Sequence, residues 1–354
     1  MLLGIAHASE ALEQAWPPFV LVAGLLLLGE LAGADGLFEA AASHLVRIPA
    51  GPAVTLIASL GLVALVTAVL NLDTSAVFLT PVLIAVARRR GLAEAPFLYG
   101  AVFMANASSL FLPGSNLTNL LVLSGRHRSG LAFLIEMLPA ALAATAVTAA
   151  GVVAIHRRAL TALAPAHGGT PLPVRAGPGL LGAVLAAALM LALGNPALPV
   201  FALALALLAW RASRSGAAAL RDGLRALGLP VLGSLFLLSV GLGIAARSGL
   251  IPLGWLRSAG EPATAGVAAV ASVAVNNLPA AVLMSSTGGL HPQALLIGLN
   301  AGPNLAVTGS LAVLLWWRAA RAAGTRPSAL AYSRQGVLLA PAAILAALLA
   351  AGLL

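Results

Sequence analysis

Apolar residues along this chain fall in long unbroken runs, with no strand-like alternation of apolar and polar positions. The runs are Trp16 to Leu31, Pro52 to Val86, Pro96 to Leu123, Leu131 to Ile155, Leu180 to Leu193, Leu198 to Trp210, Leu229 to Ala246, Thr264 to Ser286, Gln293 to Trp317 and Gly336 to Leu354. Most approach the roughly 20 residues that cross a bilayer as a helix. The pattern predicts an all-α polytopic membrane protein, residues 1–354 forming a single membrane domain. Met1 to Gln14, with Glu10 and Glu13 and no arginine or lysine ahead of the first run, reads as a short amphipathic lead-in and not as a cleaved signal.

Several runs have the wrong length or the wrong interior. Pro52 to Val86 is too long for one crossing and is interrupted from Asn71 to Ser75, and Thr264 to Ser286 is interrupted from Asn276 to Pro279. Two further interruptions span Phe111 to Asn119 and Asn300 to Ser310. Gly, Pro and Asn unwind a helix, and at membrane depth free backbone is tolerated only against protein or a wet cavity. The interruptions recur in the same order, an Asn-containing one followed by one with Gly-Ser (Gly114-Ser115 and Gly309-Ser310). This divides the chain into repeat 1 at 16–156, a linker with a helix pair at 157–228, and repeat 2 at 229–354. Each repeat is expected to hold a re-entrant hairpin and an unwound transmembrane helix, giving about eight crossings and two hairpins in all.

Composition agrees: 60% of residues are hydrophobic and only 8% charged, against about 25% charged in soluble domains. The net charge of +9 is carried by arginines scattered between apolar runs, without the interleaved aromatics of a nucleic-acid surface. All 19 basic residues are Arg, and they test the topology. If both interrupted segments are hairpins, Arg47, Arg88, Arg89, Arg90, Arg157, Arg158, Arg175, Arg211, Arg214, Arg221, Arg225, Arg318, Arg321, Arg326 and Arg334 share one face. Only Arg126, Arg128, Arg247 and Arg257 then lie on the other. The positive-inside rule makes the crowded face cytoplasmic and gives the two repeats opposite orientations, and the inner membrane is the expected location. Inverted repeats with discontinuous helices are the architecture of secondary transporters, with the substrate held near the midplane.

Eight of the nine Asn lie in or beside the interruptions: Asn71, Asn106, Asn116, Asn119, Asn276, Asn277, Asn300 and Asn304. An amide side chain in hydrocarbon is costly unless bonded. Together with Thr74, Ser75, Ser115 and Ser310, these residues are expected to line one polar cavity or, more plainly, to cap broken helix ends. Asp73 is the one carboxylate expected deep in the bilayer, suited to carry a proton or ligate a cation. Gly302-Pro303, like Gly114-Ser115, is a place where backbone could approach a ligand closely. Cysteine is absent, and no catalytic motif stands in a plausible location, so neither an enzyme nor a bound cofactor is expected.

At these motifs the chain resembles the arsenite/antimonite efflux permeases of the ion transporter superfamily. The stretches are Asp73 to Val86, Ser115 to Asn119, Val275 to Pro279 and Gly309 to Trp316. The resemblance implies hairpin tips and unwound spans enclosing a substrate site, with export driven by the proton gradient or by a partner ATPase. It also marks Asp73, Ser115, Asn116, Asn119, Asn276, Asn277, Gly302, Pro303, Gly309 and Ser310 as site candidates. The chain departs from the family at Leu72-Asp73, where an Asn-Asp pair is usual, at Asn106 and Asn300, which stand for acids, and at Asn304, which stands for a Lys. Two leading spans are also absent, as in a short member.

The expected function is therefore export of arsenite or antimonite with Asp73 coupling transport to protons. Sodium/proton exchange, or carriage of a dicarboxylate, keeps the same fold, though few buried cationic groups are expected to face the site, which disfavours a dianion. A non-transporting membrane subunit or channel is the remaining alternative.

Overall fold

The computed structural model describes residues 2–47, 49–124, 129–161, 177–251, 254–286 and 291–354. Arg126, Arg128 and Arg175, part of the topology argument, lie outside them. The described chain is helical, and six of its stretches are long and apolar enough to span a bilayer.

Helix α1 (Leu2–Ala34) leads to the short amphipathic α2 (Leu37–Arg47). The expected separate lead-in is instead the first part of α1, which continues through Pro17 and Pro18. These prolines withdraw two backbone donors without ending the helix. The first interrupted segment follows as α3 (Pro52–Val69), α4 (Leu72–Thr74), a π-helical stretch (Ser75–Leu79) and α5 (Thr80–Arg89). Then come α6 (Glu94–Ser108), a 3-10 turn (Pro113–Ser115), α7 (Leu117–Leu123) and α8 (Gly130–Ile155). The middle of the chain forms α9 (Pro178–Ala192), α10 (Ala197–Ser215), α11 (Ala217–Leu227) and α12 (Leu229–Arg247). The second interrupted segment is α13 (Glu261–Val275) and α14 (Asn277–Ser285). It is followed by α15 (Pro292–Ala301), a 3-10 turn (Gly302–Leu305), α16 (Leu311–Ala322) and α17 (Ala329–Ala350).

Both interrupted segments turn back on themselves. The Arg90 guanidinium, just after α5, donates to Thr55 Oγ1 at 2.8 Å and to the Ala50 carbonyl at 2.7 Å, so the chain returns to the start of α3. In the second segment His291, before α15, lies 3.1 Å from the Glu261 carboxylate at the start of α13. Each hairpin therefore leaves by the end at which it arrived.

Polar ties also define the two ends of the bundle. At one end Asp35 pairs with Arg211 at 2.7 Å and accepts the Gly179 N–H at 2.7 Å, while Arg88 pairs with Glu94 at 2.7 Å and donates to the Ala323 carbonyl at 2.8 Å. At the other end Arg247 donates to Gln14 at 2.6 Å and lies 3.3 Å from Glu10, and Gln293 donates to Glu136 at 2.6 Å. Helix α1 runs from the second end to the first.

The two halves of the chain pack into each other. Helix α8 lies along α17 so closely that a Cβ on Gly151 would sit 2.2 Å from Leu339 Cδ2. The first hairpin's π-helical stretch packs on α16 and α14 packs on α7, so each hairpin rests on the broken helix of the opposite half. Trp316, Tyr332 and Phe103 form a buried aromatic column, with Tyr332 donating to the Pro303 carbonyl at 3.0 Å and Trp316 to the Leu98 carbonyl at 2.8 Å. The column fixes the second break against α6.

Candidate functional site

Each hairpin tip is built by an Asn and tied to the break that follows it. Asn71 is extended, and its Oδ1 caps α4 by accepting the Thr74 N–H at 2.6 Å. Thr67 donates to Ser75 Oγ at 2.8 Å, and Ser115 in the first break donates to the Ala68 carbonyl at 3.2 Å. The π-helical stretch after the tip shifts the following side chains round the axis, a distortion often found at functional positions.

At the second tip Asn276 has φ 76° and is the one non-glycine with positive φ among the described residues. Asn tolerates such backbone better than most residues. Its side chain accepts the Leu278 N–H at 3.4 Å and donates to the Thr308 carbonyl at 3.1 Å, and the Asn277 N–H reaches the Gly309 carbonyl at 2.9 Å. Ser310 caps α16 by accepting the Val313 N–H at 3.3 Å.

The expected single polar cavity is divided by the structure into two regions. The first is a closed network between the breaks. Asn300 donates to Asn119 Oδ1 at 2.7 Å, while its own Oδ1 accepts from Asn116 at 2.8 Å and from the Ser109 hydroxyl. Asn119 donates to the Ser109 carbonyl at 2.7 Å, and Asn106 donates to Asn304 Oδ1 at 2.7 Å. All five amides are at most 5% exposed. Such a network locks two unwound segments together, because amides that satisfy one another remove most of the cost of burying them; Asn106 Oδ1 is the one amide atom of the five left without a partner.

Glycines at the breaks serve the same packing. A Cβ on Gly302 would lie 2.5 Å from Ala269 Cα, and one on Gly309 would lie 2.4 Å from Pro303 Cα. The approach they permit is therefore of backbone to backbone.

The second region is a cavity of about 560 Å3. Asp73 and Thr74 of the first tip line it, with Leu117 at the start of α7 and Leu311 at the start of α16. Its walls run along Val22, Leu26 and Glu30 of α1 and along Leu315 and Arg318 of α16, and α11 adds Asp222 and Arg225. Glu30 and Arg318 lie toward the helix ends marked by Asp35 and Ala323, so the cavity extends toward the arginine-rich end. At the opposite end a pocket of about 130 Å3 reaches Pro113 and Gly114. Phe19, Val22, Leu117 and Leu121 pack together in an apolar cluster between the two. Around the first tip, Asn71 Nδ2, Thr74 Oγ1 and Thr118 Oγ1 are buried without a hydrogen-bond partner. These are groups that a cargo or a small shift of the tip could satisfy.

Of the residues read from sequence, Asp73 and Thr74 reach the cavity. Asn71, Ser75 and Ser115 support its floor, and Asn106, Asn116, Asn119, Asn300 and Asn304 fill the closed network. Asn276, Asn277 and Ser310 hold the second tip and break. Sequence reasoning missed Glu30, Asp222, Arg225 and Arg318. A signal existed for two of them, since Val22, Leu26 and Glu30, like Leu311, Leu315 and Arg318, fall at the i, i+4, i+7/i+8 spacing of one helix face.

Paired hairpins, crossed halves and a one-ended cavity are the parts of a membrane carrier, and residues 1–307 match the sequence profile of the CitMHS citrate transporter family. The chain belongs to this family. Its members are membrane transporters and not enzymes, and the chain is a multi-pass secondary transporter of this type. The fold is similar to that of the Alcanivorax borkumensis YdaH transporter, whose crystal structure shows an unusual topology, with a TM-score of 0.62 at 13% identity over 98% of this chain and 86% of that one. Among curated proteins none matches the transporter.

Chemically, the transporter offers one carboxylate at the floor of a cavity whose arginines stand toward the mouth. The side chain of Arg225 is 80% exposed, so the cations can attract an anion without binding it deeply. At the floor, contacts would come from Asp73, hydroxyls and backbone at the hairpin tip.

Proposed function

We propose that the transporter exports a small oxyacid, arsenite or antimonite, across the inner membrane, with Asp73 coupling its movement to protons. The observation supporting this is the composition of the cavity: Asp73 is the one carboxylate at the floor, beside Thr74 and apolar side chains, while Glu30, Asp222, Arg225 and Arg318 stand further out on the walls. A neutral trihydroxide can be held there by hydrogen bonds, whereas a multiply charged anion would sit beside Asp73 without a cation at that depth. Lack of cysteine suits a carrier that must release its cargo, since a thiolate would retain a soft metalloid.

In this reading the arginine-rich end is cytoplasmic and the cavity faces inward. The two halves act as inverted repeats, a reading supported by the matched hairpins and the crossed packing of each tip on the opposite half. Sodium in place of protons, and a partner ATPase in place of either gradient, are variants of the same reading.

A citrate-type carboxylate is the second reading. The family match supports it, and Arg225 and Arg318 on the wall answer the expectation that few cations would face such a cargo. Uptake into everted membrane vesicles energised by a proton gradient separates the two. Radiolabelled arsenite should accumulate, and excess citrate should leave its rate unchanged. Citrate accumulation without arsenite uptake would replace the first reading by the second.

A further inference from the structure

Helix α11 divides its surface among three environments. Ala219 and Gly223 are buried, and a Cβ on Gly223 would lie 2.9 Å from Leu208 Cδ2 and 3.4 Å from Leu27 Cδ2, so this face seats on α10 and α1. One flank, Asp222, Arg225 and Ala226, lines the large cavity. The other carries Leu220 and Leu224, which are 45% and 56% exposed. Gly216 and Gly228, with φ of 76° and 53°, make the corners that set this helix off from its neighbours.

Arginines accompany the exposed leucines. Arg221 follows Leu220, and Arg214, before the Gly216 corner, stacks over the Trp210 ring at 4.6 Å. Asp222 lies 3.6 Å from Arg225. Among the described residues no carboxylate is within ion-pair distance of Arg214 or Arg221. The other arginines bonded at this end are engaged internally, Arg88 with Glu94, Arg90 with Thr55 and Ala50, and Arg211 with Asp35.

Two cations without anionic partners, with exposed leucines and the exposed ring of Trp210 on the same stretch of chain, match the two parts of an anionic phospholipid. We propose that Arg214 and Arg221 bind the headgroup phosphate of such a lipid while Leu220 and Leu224 contact its acyl chains. Because the opposite flank of α11 is cavity wall, a lipid seated here holds Asp222 and Arg225 in place at the cavity, and carrier turnover then depends on anionic lipid.

Each basic side chain near an anionic surface contributes about fivefold in binding, so two give roughly a 25-fold preference for anionic over zwitterionic lipid. Native mass spectrometry of the full-length transporter, titrated with phosphatidylglycerol and phosphatidylcholine, reads this directly and does not depend on the cargo. Wild type should retain phosphatidylglycerol selectively, and Arg214→Gln/Arg221→Gln should lose that selectivity while keeping its melting temperature in detergent. Glycerol phosphate, a headgroup without chains, should not compete. Equal retention of both lipids by wild type, or undiminished selectivity in the double variant, would overturn the proposal. In vesicles, in an arm that rests on the proposed function, arsenite uptake should rise severalfold when phosphatidylglycerol is added to phosphatidylcholine for wild type only; an equal rise in the double variant would overturn the link to turnover.

Discussion

Replacing Asn300 by Leu tests whether the amide network is architecture or binding site. The substitution keeps the branched four-atom skeleton, though methyls are bulkier than the amide and add some overpacking, and it removes both hydrogen-bonding atoms from a residue that is 0% exposed. Asn116 Nδ2 loses its 2.8 Å acceptor and Asn119 Oδ1 loses its 2.7 Å donor. Ser109 keeps a partner, since its one hydroxyl proton can turn to the Asn106 carbonyl 2.7 Å away. Two stranded buried groups at ~1–2 kcal/mol each give a loss of about 2–4 kcal/mol, the low end matching the weaker bonds measured between membrane helices. Unfolding by SDS in mixed micelles, for Asn300→Leu, Asn116→Leu and the double variant, measures the loss and the coupling between the pair. A double variant less destabilised than the sum of the singles is expected. A loss below about 0.5 kcal/mol for Asn300→Leu would refute the assignment of this network to structure.

The first tip and α1 supply a second test: a Cβ on Gly29 would lie 2.7 Å from Thr74 Cγ2 and 2.9 Å from its Oγ1. Gly29→Ala should cost about 1–3 kcal/mol in the same assay, and adding Thr74→Ala should restore most of it; no rescue would mean that the strain lies elsewhere. His156, just beyond α8, is held below its usual range by burial, opposed by its 2.8 Å bond to Gln335. Its contribution to stability is therefore complete above the unfolded value near 6.5 and lost as pH falls through the lower folded value. Melting temperature should fall on acidification from near 6.5 down through the folded value and then level off, and His156→Gln should reduce that slope; an identical slope would remove His156 as the cause. Since the chain has no cysteine, single cysteines report access cleanly. Leu311→Cys should react with a charged reagent added on the arginine-rich side and Ser124→Cys with reagent on the other, and the reverse pattern would invert the cavity's direction.

Much of the fold is legible in the sequence because membrane depth makes irregular backbone expensive. Asn71, Asn276, Pro113 and Pro303 announce where helices stop, and the return of both hairpins follows from the grouping of arginines around Arg88 to Arg90. The site is only partly legible. Periodicity does not say whether a polar residue at a break faces a cavity or another break, and so Asn106, Asn116, Asn119, Asn300 and Asn304 read as cargo ligands when their partners are one another. Glu30 and Arg318 sit near helix ends, where charge is expected for topological reasons. Their second role depends on α1 and α16 meeting at one cavity, a contact between segments far apart in sequence.

In the proposed mechanism Asp73, at the floor of the cavity, couples cargo to protons. Arsenite uptake by everted vesicles, measured under an imposed pH gradient and as gradient-free exchange, tests it most directly in wild type and Asp73→Asn. Asp73→Asn should abolish gradient-driven accumulation while exchange persists; accumulation equal to wild type in Asp73→Asn would contradict a coupling role for this carboxylate.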